Sequence, residues 1–558
     1  MKKYYFLILI LLITILAYLP VFRAELLNLD DFPFIINNKY IKSFSYQNIY
    51  YIFTHSIEGY HPLSLISLAI EYKFVGLSPL LYHIDNLLLH LLNCIVLYFI
   101  CINLFKNNRI SIIIVVLFAI SPVNVQTVAY AAERRGLLMA FFYLLSLLLY
   151  IIHIDNKNYK KYFLSLLLFV LSLFSNGRAI PLVFCLILIN YLKDKQLFSK
   201  KVIFEIIPFL LISFFFGIVN IYAQKETGYS YRMEGFSSFD YIFIAGYSYI
   251  QYVVNLLLPY NLTSGYPYPE KIADFMPFYY YLYTLLGVLV LIAYFYFIKK
   301  KYKIIVFAIT FYTINIILLL RLFSPLTENI MEDHYAYIPS IGVFILVAIV
   351  IDYFYFKFKK AIITIALIII PTLIFLTYQR SVIWQNSMSL FNDMLLKHPN
   401  RFVILNNRGF MYLYSRKYNL AEIDFSKAIN VKPDYNDPYF GRARVNEETG
   451  KLNEALIDYD LYIELSKNNI INKIQLSTAY NNRGVIIAKS HNYNEAFNNF
   501  NNAIKLNPNY NDPYINLAII YLVYNKNDAA IVMCDKILQK DTNNKDALEV
   551  KQMALKKH

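Results

Sequence analysis

The sequence predicts an all-α protein in two parts: a polytopic helix bundle over residues 1–380 and a water-soluble α-solenoid over residues 381–558. Three observations carry this reading. The 558 residues are 58% hydrophobic and only 16% charged, against about 25% charged in soluble domains. Up to Tyr378 the apolar residues form long runs broken by short basic clusters. From Gln379 onward the chain turns polar, and small residues recur at fixed spacing.

A spanning helix needs about 20 mostly apolar residues. The apolar runs predict about eleven spans, near Tyr4–Phe22, His83–Phe105, Ile110–Val128, Leu137–Ile154, Tyr162–Ser175, Ala179–Leu192, Val202–Ala223, Pro277–Ile298, Lys303–Phe323, Tyr335–Phe356 and Ala361–Tyr378. Lysine and arginine mark cytoplasmic loops. With the N-terminus inside and eleven spans, the clusters at Lys2-Lys3, Lys106–Arg109, Lys157–Lys161, Lys193–Lys201, Lys299–Lys303 and Lys357–Lys360 all fall on one side. Counting Asp240–Pro259 as a further span would break this pattern, so that stretch is assigned to the interface or to a re-entrant segment. The first run is too long for a cleaved signal peptide and no small-x-small site follows it, so it reads as a retained helix. The expected location is a bacterial cytoplasmic (inner) membrane, with the N-terminus cytoplasmic and the C-terminal part extracytoplasmic.

The net charge of +15 does not point to nucleic acid, because topology explains where the lysines sit. Cys94 and Cys101 are seven residues apart on one expected helix, roughly 10 Å of rise, too far for a disulfide. Neither a disulfide framework nor thiol chemistry is expected from the four cysteines. P-loop, GxSxG, HExxH and CxxC patterns do not occur.

In the polar part, Gly409, Ala421, Ala428 and Pro433 stand at offsets 0, 12, 19 and 24, and Gly484, Ala496, Ala503 and Pro508 repeat them. Ala443 with Ala455 and Ala518 with Ala530 are weaker copies. From 409 to 443 and from 484 to 518 is 34 residues, with an insertion near Ser466–Gln475 between the two halves. This period, with small residues where helices cross, is the signature of tetratricopeptide repeats. Stacked helix pairs make a concave surface suited to a protein or peptide. A plain oligomerisation arm is the blander reading.

Candidate site residues lie on the expected outer face. Asp30 and Asp31 follow the first span, and adjacent carboxylates at a membrane surface are costly unless used or paired. One would serve as general base toward an acceptor hydroxyl while its neighbour orients the acceptor, binds a metal or raises the base's pKa. On the dipeptide alone, a solvated turn capping a helix is the commoner case. His61 precedes Pro62. His83, Asn86 and His90 share one helical face, suited either to a phosphate head group or to hydrogen bonding inside the bundle. Zinc has little support, since further ligands do not follow at the usual spacing. Arg134, at the end of the third span, would clamp a lipid phosphate or snorkel to head groups. Asp333, His334 and Tyr335 open a late span, where charge is a functional candidate by default.

The ordered set resembles a known family. It comprises the Asp-Asp loop, Tyr60-His61-Pro62-Leu63, the Tyr-His-x-x-Asn-x-x-x-His helix from Tyr82, Pro122 to Arg134, Asp333-x-Tyr-x-Tyr-x-Pro-Ser-x-Gly, and Trp384 before the repeats. Together these resemble the tetratricopeptide-repeat transmembrane O-mannosyltransferase-like proteins, of the GT-C glycosyltransferase fold. The resemblance implies a polyprenyl-phosphate-linked hexose donor, catalysis by Asp30 and Asp31, and donor-site roles for Arg134, Asp333 and Tyr335. Metal dependence stays open. His61 and His334 stand where the family has arginine, Ser121 precedes Pro122 where His is usual, and Asn176-Gly177 replaces a Lys-Glu pair, with Arg178 beside it as a substitute cation. The losses remove fixed positive charge, since histidine is mostly neutral at pH 7. The expected function is hexose transfer, with mannose foremost, from the lipid carrier to a hydroxyl on protein. The alternatives are a non-catalytic membrane scaffold and a transporter or flippase, the latter without the inverted repeat it would require.

Overall fold

The computed structural model describes residues 5–57, 59–226, 235–322, 328–467 and 473–556. Lys2 and Lys3, the ends of the first and ninth expected spans and the middle of the expected repeat insertion lie outside these ranges. Two compact units divide between Lys397 and His398.

In the first unit, α1 (Tyr5–Ala17) leads through the Asp30–Asp31 loop to α2 (Tyr46–Thr54), α3 (Pro62–Val75) and the long α4 (Pro79–Phe105). Pro62 and Pro79 each occupy a first helical turn, where the missing N–H costs nothing. Then come α5 (Asn108–Ala119), α6 (Val125–Ala129), α7 (Arg134–Asn156), α8 (Tyr159–Ser175), α9 (Leu182–Leu192) and α10 (Lys200–Glu226). The stretch assigned to the interface is a helix, α11 (Ser238–Leu257), started by a capping box of Ser237 and Asp240. It is followed by α12 (Phe278–Lys299), α13 (Lys303–Ile316), α14 (Ser340–Tyr355), α15 (Lys359–Ile383) and α16 (Ser387–Lys397). The short strands β1 (Tyr266–Pro267) and β2 (Asn329–Met331) pair antiparallel and set the chain entering Asp333.

Among the described residues, five helices are long and apolar enough to cross a membrane: α4, α7 with the turn before it, α10, α12 and α15. The α5–α6 pair, bent by 47°, makes a sixth if it counts as one span. Tyr5–Ala17, Gly177–Leu192, Lys303–Leu319 and Ser340–Tyr355 are apolar but shorter. Two of these contain a 3₁₀ turn: Ile317–Leu319 ends the α13 stretch, and Gly177–Ala179 opens that of α9.

The helices pack through small residues, as apolar helices in lipid must, since burial of apolar surface drives little there. Ser146 of α7 and Ser165 of α8 each donate to the other's carbonyl at 2.8 Å. At Gly342 of α14, a Cβ would sit 2.5 Å from the Ala308 carbonyl oxygen of α13. Only glycine lets those two backbones approach so closely.

The second unit is a series of antiparallel helix pairs: α17 (Phe402–Tyr414) with α18 (Tyr418–Val431), α19 (Asp437–Glu448) with α20 (Leu452–Ser466), α21 (Lys473–Lys489) with α22 (Tyr493–Leu506), and α23 (Asn511–Val523) with α24 (Asn527–Leu538), followed by α25 (Lys545–Lys556). The repeat positions are the crossing points. Ala421, Ala428, Ala455, Ala496, Ala503 and Ala530 are fully buried. Arg408 pairs with Asp424 and Arg442 with Asp458, the same contact one repeat on. Gly409 and Gly441 both face the Phe425 ring, and a Cβ at Gly441 would stand 2.3 Å from it. Gly441→Ala is therefore expected to lower the stability of this unit by about 1–3 kcal/mol through overpacking. A melting curve unchanged from wild type would show that Phe425 can move aside at no cost.

Candidate functional site

The first loop is held from both sides. The Glu25 N–H donates to the Gln385 carbonyl and the Asn28 N–H to Ser387 Oγ, each at 2.8 Å. These bonds tie the loop to the turn after α15. Fully buried Trp384 packs against the Tyr130 ring at 5.4 Å, and the Asp30 N–H donates to the Tyr130 hydroxyl.

The two aspartates then diverge. Asp31 is fully buried, and its carboxylate accepts the Leu27 N–H at 2.8 Å and the Ala132 N–H at 2.7 Å. Burial raises its pKa to about 7, although the two N–H donors act the other way. The Asp30 side chain is 41% exposed and meets Arg135 Nη2 at 2.8 Å. Asp31 thus ties the loop to the start of α7, and Asp30 is the more exposed of the two carboxylates.

Arg134 and Arg135 are neighbours on α7, about 100° apart around the helix, and face different surroundings. Arg134 is buried and engaged: Nε donates to Asn86 Oδ1 at 2.6 Å, Nη1 to Ser67 Oγ at 2.9 Å and to Glu71, and Nη2 to the Tyr82 carbonyl at 2.9 Å. Asn86 in turn donates to the Tyr130 carbonyl. His90 contacts the Tyr337 hydroxyl at 2.8 Å and the Ala119 carbonyl at 3.0 Å. The carbonyl only accepts, so Nε2 carries the proton and Nδ1 receives the Tyr337 O–H. His83 is fully buried, with its ring near the backbone of Glu25 and Ala129 but without hydrogen-bond geometry. The face of His83, Asn86 and His90 is thus turned onto neighbouring elements inside the bundle.

Arg135 belongs to a second cluster, centred on Glu133. The Glu133 carboxylate is fully buried and bridges Arg135 Nε at 3.0 Å and Arg178 Nη2 at 2.8 Å, with His334 Nε2 at 3.6 Å. His334 Nδ1 lies 3.3 Å from Glu332 Oε2, a close approach rather than a shaped hydrogen bond. The Arg178 guanidinium lies 5.6 Å and the Arg321 guanidinium 6.0 Å from the centre of the half-buried Tyr335 ring. His61 packs edge-on against Phe34 at 5.0 Å, and Arg135 lies over the same ring at 4.8 Å. Burial and the neighbouring arginines push His61 and His334 down to about 3, so both imidazoles are neutral at pH 7. Burial, with Asp30 nearby, raises Glu332 to about 7.

Asp333, next to His334, points elsewhere. It accepts the Tyr266 hydroxyl at 3.0 Å and sits near Arg380 and Lys397, with burial raising it to about 7. The structure therefore gathers Asp30, His61, Arg178, His334 and Tyr335, and places Asp31, His83, Asn86, His90, Arg134 and Asp333 in the frame around them. Sequence reasoning passed over Glu133 and Arg321. The available signal was Ala131-Ala132-Glu133-Arg134-Arg135, three charges inside an apolar run, which is rare unless they are used. Among the described residues, no group of three or more His, Cys, Asp or Glu side chains is placed to hold a metal ion.

A helical unit of membrane type, with a buried arginine–carboxylate cluster at one end and tetratricopeptide-like helix pairs after it, is the class this fold and site define. A family model described as tetratricopeptide repeat matches residues 488–553. Over most of its length the chain resembles proteins named protein O-mannosyl-transferases. It is 24% identical over 402 residues to protein O-mannosyl-transferase F38B6.6 of Caenorhabditis elegans, covering 68% of this chain and 55% of that one. It is 23% identical over 539 residues to protein O-mannosyl-transferase TMTC3 of Homo sapiens, covering 88% of this chain and 58% of that one. The chain thus spans a little over half the length of these relatives. Among solved structures, the tetratricopeptide protein YrrB is 19% identical, covering 30% of this chain and 82% of that one with a TM-score of 0.26.

Proposed function

We propose that the first unit is a glycosyltransferase that moves a hexose from a polyprenyl-phosphate carrier to a hydroxyl acceptor on protein, at the outer face of the membrane. Mannose is the first sugar to test, given the names of the relatives. The observation that carries the reading is Asp30: a half-exposed carboxylate fixed by Arg135 at the edge of a cluster that also holds Arg178, Arg321 and Tyr335.

In this mechanism Asp30 takes the proton of the acceptor hydroxyl as its oxygen attacks the anomeric carbon. The bond from that carbon to the phosphate oxygen breaks, and the lipid phosphate leaves with the electron pair. Attack opposite the leaving group inverts the anomeric centre. Arg178 and Arg321, both beside the Tyr335 ring, offset the charge growing on the phosphate. Arg134, spent on protein acceptors, instead holds α3, α4 and α7 together. The second unit offers its helix pairs to the protein acceptor.

Charge in the cluster is close to balanced: Asp30, Glu133 and Glu332 against Arg135, Arg178 and Arg321. Protonation of Glu332, which titrates near pH 7, removes one negative charge from the donor's path. Donor KM is expected to fall as pH is lowered from 8 to 6, and Glu332→Gln to keep the low value throughout. A pH-independent KM in the wild type would place the donor phosphate away from Glu332.

The deciding assay supplies membranes expressing the full chain with labelled polyprenyl-phosphate mannose or glucose and follows label into protein. Transfer above membranes lacking the chain supports the proposal. No transfer from either donor favours the non-catalytic scaffold.

A further inference from the structure

The helices that flank the polar cluster carry a different feature at their other ends. Between α9, α12 and α13 opens an apolar groove of about 320 Å³, walled by Phe184, Leu188, Tyr191, Ile298, Val306 and Ile314. That volume lies within the roughly 300–1,000 Å³ usual for small-molecule sites. The α12 wall is apolar, with mean hydropathy 2.1, and none of its most apolar window is buried by protein. Apolar surface of that extent is stable only against lipid. The eleven residues of α9 rise roughly 16 Å, about half of a ~30 Å hydrocarbon core. The groove's lining residues on α13, from Val306 to Ile314, cover roughly 12 Å of rise, most of one leaflet.

Its mouth is basic. Tyr191 and Ile298 stand beside the ends of α9 and α12, where Lys193, Lys195, Lys299, Lys300 and Lys301 follow, and α13 begins at Lys303. Lys193 is taken by Asp155 at 2.9 Å, and Lys303 by Asp194. Lys195, Lys299 and Lys301 are exposed, and among the described residues none forms an ion pair. Phe198 and Tyr302, 92% and 52% exposed, lie in the same two turns. Exposed aromatics among lysines mark the head-group level of a bilayer.

We propose that this groove binds an anionic phospholipid, with an acyl chain between α9, α12 and α13 and its phosphate on Lys195, Lys299 and Lys301. The lysines select the charge and the groove selects an amphiphile, since free phosphate would gain nothing from the apolar walls. The site lies at the far ends of the helices from Arg178 and Arg321 and is independent of the transferase reading.

The test is native mass spectrometry of the full-length protein in detergent, titrated with phosphatidylglycerol or with phosphatidylcholine of the same acyl chains. Wild type is expected to retain the anionic lipid preferentially. The variant Lys195→Gln/Lys299→Gln/Lys301→Gln is expected to lose roughly fivefold in affinity per lysine, about a hundredfold in all, and to lose the preference. Ile314→Trp fills the groove and leaves every lysine in place, so it is expected to abolish retention even if the lysine variant inserts poorly. Equal retention of the two lipids by wild type, undiminished retention by Ile314→Trp, or displacement of the lipid by equimolar inorganic phosphate would each overturn the proposal.

Discussion

Replacing Asp30 by Asn is expected to lower the rate of sugar transfer by about 10²–10⁴-fold, the range a positioned general base supplies, while the protein keeps its fold. The fold survives because the Asp30 carboxylate is 41% exposed, so its side of the pair with the largely buried Arg135 is open to solvent. Such pairs contribute about 0–1 kcal/mol, and Arg135 keeps Glu133 as a partner. Donor KM should change little, since Asn still fits the site and the proposed mechanism places the phosphate with Arg178 and Arg321. Asp31→Asn is the informative contrast. Its amide would turn an N–H₂ toward a backbone N–H of Leu27 or Ala132, leaving a buried donor unpaired at a cost of about 1–3 kcal/mol. Asp31→Asn should therefore lower the melting temperature and reduce activity only as far as folded protein is lost. The paired measurements are initial rates at saturating donor and thermal melts of the same preparations. Wild-type rates in Asp30→Asn would take Asp30 out of the chemistry. A stable but inactive Asp31→Asn would exchange the two roles.

The contrast shows what the sequence could and could not tell. Long apolar runs and the 34-residue spacing of Gly409, Ala443 and their copies depend on periodicity along one chain, so the helix bundle and the repeats are legible from it. The motif around Asp30 and Asp31 is legible as a place. Which aspartate is presented is not, because burial of Asp31 depends on the Ala132 N–H, 101 residues away. Arg134 and Arg135 pose the same difficulty. Adjacent residues on a helix face different neighbours, and only the packing of α3 and α4 against α7 decides which guanidinium is spent. Asp333 reads as a charge at the mouth of a span, yet the β1–β2 pairing brings Tyr266 over it and directs it to a separate group of charges. Glu133 escaped notice because its significance lies in Arg178, 45 residues on, and in His334, a further turn of the fold away.

Glu133 is where the largest loss of stability is expected. Its carboxylate is fully buried, and Arg135 and Arg178, whose side chains are 16% and 13% exposed, both depend on it. The surroundings have been shaped to admit this pairing. At Gly136, one turn along α7, a Cβ would stand 2.6 Å from Glu133 Oε2 and 3.0 Å from Arg178 Nη2, so any larger residue would push the bridge apart. Removing one partner of a buried ion pair typically costs about 3–5 kcal/mol, because the other is left charged without compensation. Glu133→Ala strands Arg178 and leaves Arg135 with the half-exposed Asp30 alone, and its cost is expected within that range. Glu133→Gln keeps the shape and one acceptor and should cost less. The second substitution in Glu133→Gln/Arg178→Gln removes one stranded charge, so the double variant should be more stable than the sum of the two single losses predicts, and that coupling is the quantity to measure. Additive losses would mean that water reaches Arg178 well enough to replace the carboxylate. In that case Arg178 would be free to turn toward an incoming phosphate without help from Glu133, and the cluster would act as a loose anion funnel rather than a preformed frame.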